Sequence, residues 1–106
     1  MTEQVIIFCT CPDDDTVAKQ IAEQLVSTRL AACVNILPGV QSVYTWQGEV
    51  TQDNEKLLII KTRSELYPKL ENKIKEIHPY ELPEIIMVTL DNGLPGYLNW
   101  INESTS

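Results

Sequence analysis

No run of this sequence is apolar for long. Runs of five such as Val5-Ile6-Ile7-Phe8-Cys9 are the longest and fall far short of the roughly 20 residues a bilayer-spanning helix needs, so no membrane partner is expected. The opening Met1-Thr2-Glu3-Gln4 carries no basic residue, and no secretory signal is expected from it. Positive charge is scarce: 8 Lys and Arg stand against 15 Asp and Glu, for a net charge of −7. Such a field repels phosphate backbones, and the few cations form no cluster, which argues against nucleic acid. There is no internal repeat and no Gly/Ser linker, so residues 1–106 read as one domain with one core. Three cysteines, Cys9, Cys11 and Cys33, cannot all pair within a chain, which points to reduced thiols in the cytoplasm. Also missing are GxSxG, HExxH, a phosphate-binding loop and a GxGxxG after a strand. No enzyme activity is expected.

What is present alternates strands with helices. Val5 to Thr10 is apolar and β-branched, as in a central strand buried on both faces. Asp13-Asp14-Asp15 follows Pro12 and suits a helix start; Ala18, Ile21, Ala22, Leu25, Val26 and Leu30 recur at helical spacing, predicting a helix over about Asp14 to Leu30. Cys33 to Ile36 reads as strand, broken or bent at Pro38-Gly39 and resumed over Val40 to Trp46. Gln47-Gly48 is a turn, and Glu49 to Thr62 the return strand, which makes a long hairpin. After Ser64 comes a helix with Leu66, Leu70, Ile74 and Ile77 on one face, Pro68 in its first turn, and a Glu71–Lys75 pair on its solvent side. Pro79 stops it after His78. Ile85 to Leu90 is a last strand, and Leu94, Tyr97, Leu98 and Ile101 predict a short final helix.

The order β-α-β-β-α-β is the split βαβ, ferredoxin-like α+β arrangement. Right-handed crossovers place the first and third strands at the centre and the second and fourth at the edges. The hairpin, with Tyr44 and Trp46 near its tip, is longer than so small a core can cover. Exposed edges and aromatic tips invite another copy, so a closed homo-oligomer is expected.

Three segments are candidates for chemistry. In Cys9-Thr10-Cys11 two thiols share one strand face, their alpha carbons about 6.6 Å apart, which suits a soft metal such as Cu(I) or, more simply, two small core hydrophobes. His78 lies within His78-Pro79-Tyr80-Glu81-Leu82-Pro83-Glu84, an imidazole beside the Glu81 and Glu84 carboxylates. It reads either as a metal ligand, with Cys9 from the neighbouring first strand, or as a helix C-terminal residue stabilised by the dipole. Tyr44-Thr45-Trp46 reads as a binding platform or as subunit packing.

Ala31-Ala32-Cys33-Val34-Asn35-Ile36-Leu37-Pro38-Gly39, Ser42-Val43-Tyr44-Thr45-Trp46-Gln47-Gly48, Lys61-Thr62, the His78 to Glu84 segment and Tyr97-Leu98-Asn99-Trp100 together resemble the CutA family of divalent-cation tolerance proteins. The resemblance runs from about Val5 to Ile101. It implies a ferredoxin-like fold in a tight homotrimer knitted by the long hairpins, a bacterial cytoplasmic location, and a link to copper and other divalent cations without enzyme activity. Cys9 falls where copper-binding members carry a cysteine. His78 matches the histidine of the His-Pro-Tyr motif and Glu84 the glutamate after the second proline. The expected ligands are therefore Cys9 and His78, with Cys11 and Glu84 auxiliary. Some members carry a second histidine where Ile77 stands, and Cys11 is extra; one imidazole fewer and one thiol more favour softer ions, Cu(I) over Cu(II) or Zn(II). The implied trimer also resembles PII-type signalling proteins. That suggests the alternative of a small-molecule sensing trimer with an inter-subunit pocket at Tyr44, Trp46 and Tyr80, beside His78 and Glu84.

Overall fold

A four-stranded antiparallel sheet in the order β2-β3-β1-β4 forms the frame of the computed structural model, which describes residues 2–106. The elements are β1 (Gln4–Pro12), α1 (Asp15–Ser27), β2 (Cys33–Trp46), β3 (Glu49–Arg63), a single 3-10 turn (Ser64–Leu66), α2 (Tyr67–Ile77), β4 (Ile85–Thr89) and α3 (Pro95–Ser104). β1 and β3 are central and β2 and β4 are the edges, as the crossover rule requires.

One face of the sheet makes the core. Val5, Ile7, Cys9 and Cys11 of β1 and Leu58 and Ile60 of β3 pack against Ala18, Ile21 and Leu25 of α1 and Leu70 and Ile74 of α2. Each fully buried aliphatic side chain contributes about 1.5–3 kcal/mol. Asp14 caps α1 by accepting from the Thr16 and Val17 backbone N–H groups at 2.8 and 3.3 Å. The helix then ends at Ser27 rather than near Leu30, because Arg29 turns left-handed at φ 62°. Arg29 N–H bonds Val26 O and Leu30 N–H bonds Leu25 O, the paired closure of a Schellman motif. On α2 the expected Glu71–Lys75 pair does not form; Lys73 pairs with Glu76 at 3.8 Å, and Glu71 lies beside the Tyr67 phenol.

Pro38-Gly39 does not break β2. The strand runs on with a register shift between Leu37 and Val40, a bulge in which Gly39 takes φ 78° and the proline sits on an edge strand that can do without its N–H. β1 ends its pairing at Pro12 opposite Glu55. Beyond that point, from Gln41 and Asn54 outward, the hairpin strands pair only with each other, and the long axis of the molecule reaches 44 Å.

The second face of the sheet is only partly covered. α3 packs over one end of it, held where Gln4 Nε2 donates to Asn102 Oδ1 at 2.9 Å and Arg63 Nε donates to Thr105 Oγ1 at 2.9 Å. The rest carries Phe8, Leu57 and Ile59, half-buried, with Ile86 51% and Val88 42% exposed. β1 is therefore buried on one face and not, within a single chain, on both.

Candidate functional site

α2 delivers His78 to the open end of β1. The helix stops where His78 leaves helical geometry at φ −81°, ψ 135°, the extended conformation that a following proline imposes. The ring turns inward and is 8% exposed. Its Nδ1 accepts the Tyr80 backbone N–H at 3.1 Å, so Nε2 carries the proton and donates to the Thr10 carbonyl at 2.7 Å. Both ring nitrogens are thereby engaged. The Tyr80 ring stacks at a tilt over the imidazole, centroids 4.7 Å apart.

Cys9 and Cys11 point into the core and have no exposed surface. The Cys9 thiol also donates to the Thr10 carbonyl, at 3.6 Å. Burial pushes Cys9 up to about 12, helped by the neighbouring Cys11 thiol and the Glu84 and Glu55 carboxylates. Burial likewise raises Cys11 to about 11; Glu55, Asp13 and Asp14 add to the shift and Lys56 opposes it. Cysteine binds a metal as the thiolate and histidine through a free ring nitrogen; here burial favours the protonated thiols, and both imidazole nitrogens are hydrogen-bonded.

The expected copper ligands meet in part. Cys9 and His78 share one carbonyl; Cys11 lies one strand repeat further on the core face; Glu84, at the entry to β4, is exposed. Among the described residues no three His, Cys, Asp or Glu side chains converge as a metal-binding group. As folded, this donor set does not fit a metal ion, because the Thr10 carbonyl occupies the point on which the thiol and imidazole converge. Cys33 is half-buried, with Lys61 Nζ 4.0 Å from its sulfur.

The pocket residues do come together. Tyr44, Trp46 and Tyr80 line a cavity of about 730 Å³ between the hairpin and the loop after α2, together with Glu55, Glu81 and Glu84. Tyr80 Oη donates to Glu55 Oε2 at 2.8 Å, and burial and then this bond raise its phenol. Tyr44 Oη donates to Asp53. Glu55 was not singled out by the sequence reading, yet it is 6% exposed. Its one signal is its place as an acidic residue just before the apolar run Leu57 to Ile60, where strand alternation turns it away from the partner set of Lys56. Lys56 reaches Asp13 and Asp15 at 3.1 Å each.

Known proteins share this arrangement closely. The chain is 47% identical over 100 residues to the divalent-cation tolerance protein CutA of Thermus thermophilus, covering 94% of this chain and 96% of that protein. It is 45% identical over 98 residues to protein CutA of Mus musculus, covering 92% of this chain but only 55% of the mouse protein. The crystal structure of CutA from Xylella fastidiosa superimposes with a TM-score of 0.95 at 43% identity, covering 99% of this chain and 100% of that one. Residues 5–104 match the CutA1 divalent ion tolerance protein family, and the chain belongs to that family.

Proposed function

We propose that this chain serves divalent-cation tolerance as a cytoplasmic homotrimer without catalytic activity. The observation that carries this reading is the uncovered sheet face. The sequence patterns β1 for burial on both sides, whereas the single chain leaves Phe8, Leu57, Ile59, Ile86 and Val88 without a second layer. Apolar surface of that kind is stable in water when another copy covers it. The hairpin that outruns the core supplies exposed strand edges for a neighbour, and three free thiols suit a reducing cytoplasm.

Copper is the finer part of the proposal. Two thiols and an imidazole favour Cu(I), with Cys9 and His78 as principal ligands and Cys11 and Glu84 auxiliary. Ligation there requires the end of β1 to open, because the Thr10 carbonyl must release both donors. Binding is therefore slow and coupled to local unfolding rather than a rapid entry into a formed site. Anaerobic competition of the reduced protein with a chromogenic Cu(I) chelator tests this, alongside Cys9→Ser and His78→Ala, with sedimentation equilibrium run on the same samples. The expected result is a trimer that takes Cu(I) slowly and loses it in both variants. A monomer at micromolar concentration sinks the assembly, and unchanged competition in both variants sinks the ligand assignment.

A further inference from the structure

The cavity beside Tyr80 is chemically one-sided. It holds three carboxylates, Glu55, Glu81 and Glu84, and three aromatic rings, Tyr44, Trp46 and Tyr80, and no lysine, arginine or histidine lines it. Glu55 is the informative member. It is more than nine-tenths buried, and its Oε2 accepts from the neutral Tyr80 phenol. Among the described residues no cation pairs with it; the adjacent Lys56 is committed to Asp13 and Asp15. A buried carboxylate whose only partner is neutral retains an unmet demand for positive charge. The aromatic faces ask for the same thing, since their quadrupoles attract cations, most strongly where water is excluded. The carboxylates do not converge on one point as a metal would need. They share the lining with the aromatic rings and with Val43 and Leu82. A lining that combines several carboxylates with aromatic and aliphatic surface matches cationic groups carried on a hydrocarbon chain.

We infer that this cavity binds a linear aliphatic polyamine, with one ammonium on Glu55, a second toward Glu81 or Glu84, and the intervening methylenes against Trp46 and Tyr80. Glu55 anchors because it is the most desolvated of the three and is pre-positioned by Tyr80. The site shares Glu84 with the auxiliary copper ligands, and the inference rests on the cavity staying open when copies assemble.

Trp46 reports directly on occupancy. In a Trp100→Phe background its fluorescence is followed while spermidine is added to chelator-treated protein at constant ionic strength, with calorimetry on the unmodified chain as a second readout. Saturable binding is expected, weakened at least ten-fold by Glu55→Gln, which keeps the size of the side chain and an acceptor for Tyr80. Trp46→Ala, at an exposed position, is expected to weaken calorimetric binding while leaving the circular dichroism spectrum unchanged. Magnesium at the same concentration is expected not to displace spermidine. Absence of saturable binding would overturn the proposal, as it would if a second copy fills the cavity. So would equal affinity in Glu55→Gln, or displacement by equimolar magnesium, which marks a diffuse cation atmosphere.

Discussion

His78 Nε2 and Cys9 Sγ donate to the same acceptor, the Thr10 carbonyl oxygen, at 2.7 and 3.6 Å. The imidazole thus pins the C-terminal end of α2 to the end of β1, and its other nitrogen fixes the turn into Tyr80. His78→Ala leaves the Thr10 carbonyl and the Tyr80 N–H short of a partner in a buried place. The metal-free protein is expected to lose about 1–3 kcal/mol, the cost of unsatisfied buried groups, measured as a drop in the urea midpoint at fixed protein concentration. A histidine whose only role was metal ligation would leave the metal-free midpoint unmoved.

The thiols supply a pH prediction. Cys9 and Cys11 are raised to about 12 and 11 in the folded chain, above an unfolded thiol near 8.5. A group that holds its proton more tightly when folded contributes stability that is complete below the unfolded value and is lost as pH rises toward the folded one. Stability is therefore expected to fall from about pH 9 upward. The raised phenols of Tyr67 and Tyr80 act in the same direction. Cys9→Ala is expected to flatten the alkaline limb of a melting-temperature series without removing it. A thiol-specific disulfide reagent at pH 8 is expected to modify half-buried Cys33 first, with Cys9 and Cys11 reacting only as fast as the chain opens. Equal rates at all three would contradict the burial.

Much of this framework was legible in the sequence, because it rests on periodicity and on residues with one strong local preference. An acidic cap before α1, Gln47-Gly48 as a turn, Pro79 as a helix stop and the central placement of β1 and β3 all follow from such signals. What misled the reading were local choices that tertiary context overrides. Pro38-Gly39 reads as a break or a bend, and the bend is what forms, as a bulge, because an edge strand tolerates the missing donor. Leu30 continues the helical spacing, but Arg29 takes a conformation usually left to glycine and closes α1 early. The site was half legible. Side chains of the right chemistry announced Cys9, His78 and the aromatic pocket; the Thr10 carbonyl that binds the first two together is backbone and has no sequence signature, and the burial of Glu55 depends on the loop folded over it.

The hairpin turn carries a sharper test. Gln47 and Gly48 both have positive φ, 51° and 83°, the pattern of a type I′ turn whose twist matches the strands. A Cβ at Gly48 meets nothing within 4 Å, so Gly48→Ala isolates the backbone cost of the left-handed region, about 1–2 kcal/mol. Gln47→Asn, which favours that region, is expected to act in the opposite sense and by less. Chemical denaturation of both variants at one protein concentration checks the pair; equal midpoints would mean that the tip does not contribute to cooperative folding.

The uncovered sheet face decides the assembly. Ile86 stands directly opposite Phe8 across the β1–β4 ladder and is 51% exposed in the single chain. In an isolated molecule, Ile86→Glu places a carboxylate at a half-wet edge and changes folding stability by about 0.5 kcal/mol or less, as surface substitutions do. Under a neighbouring copy the same carboxylate is buried without a partner, a penalty of several kcal/mol that is repeated at each symmetry-related contact. The expected outcome is a folded, monomeric Ile86→Glu protein, read by sedimentation velocity with the circular dichroism spectrum retained. Lys69→Glu, on the solvent side of α2, serves as the charge-altering control and is expected to sediment as the unmodified protein does. An Ile86→Glu protein that remained trimeric would place the subunit contacts elsewhere, on the outer half of the hairpin, and would leave Phe8 and Ile86 as a face still awaiting its partner.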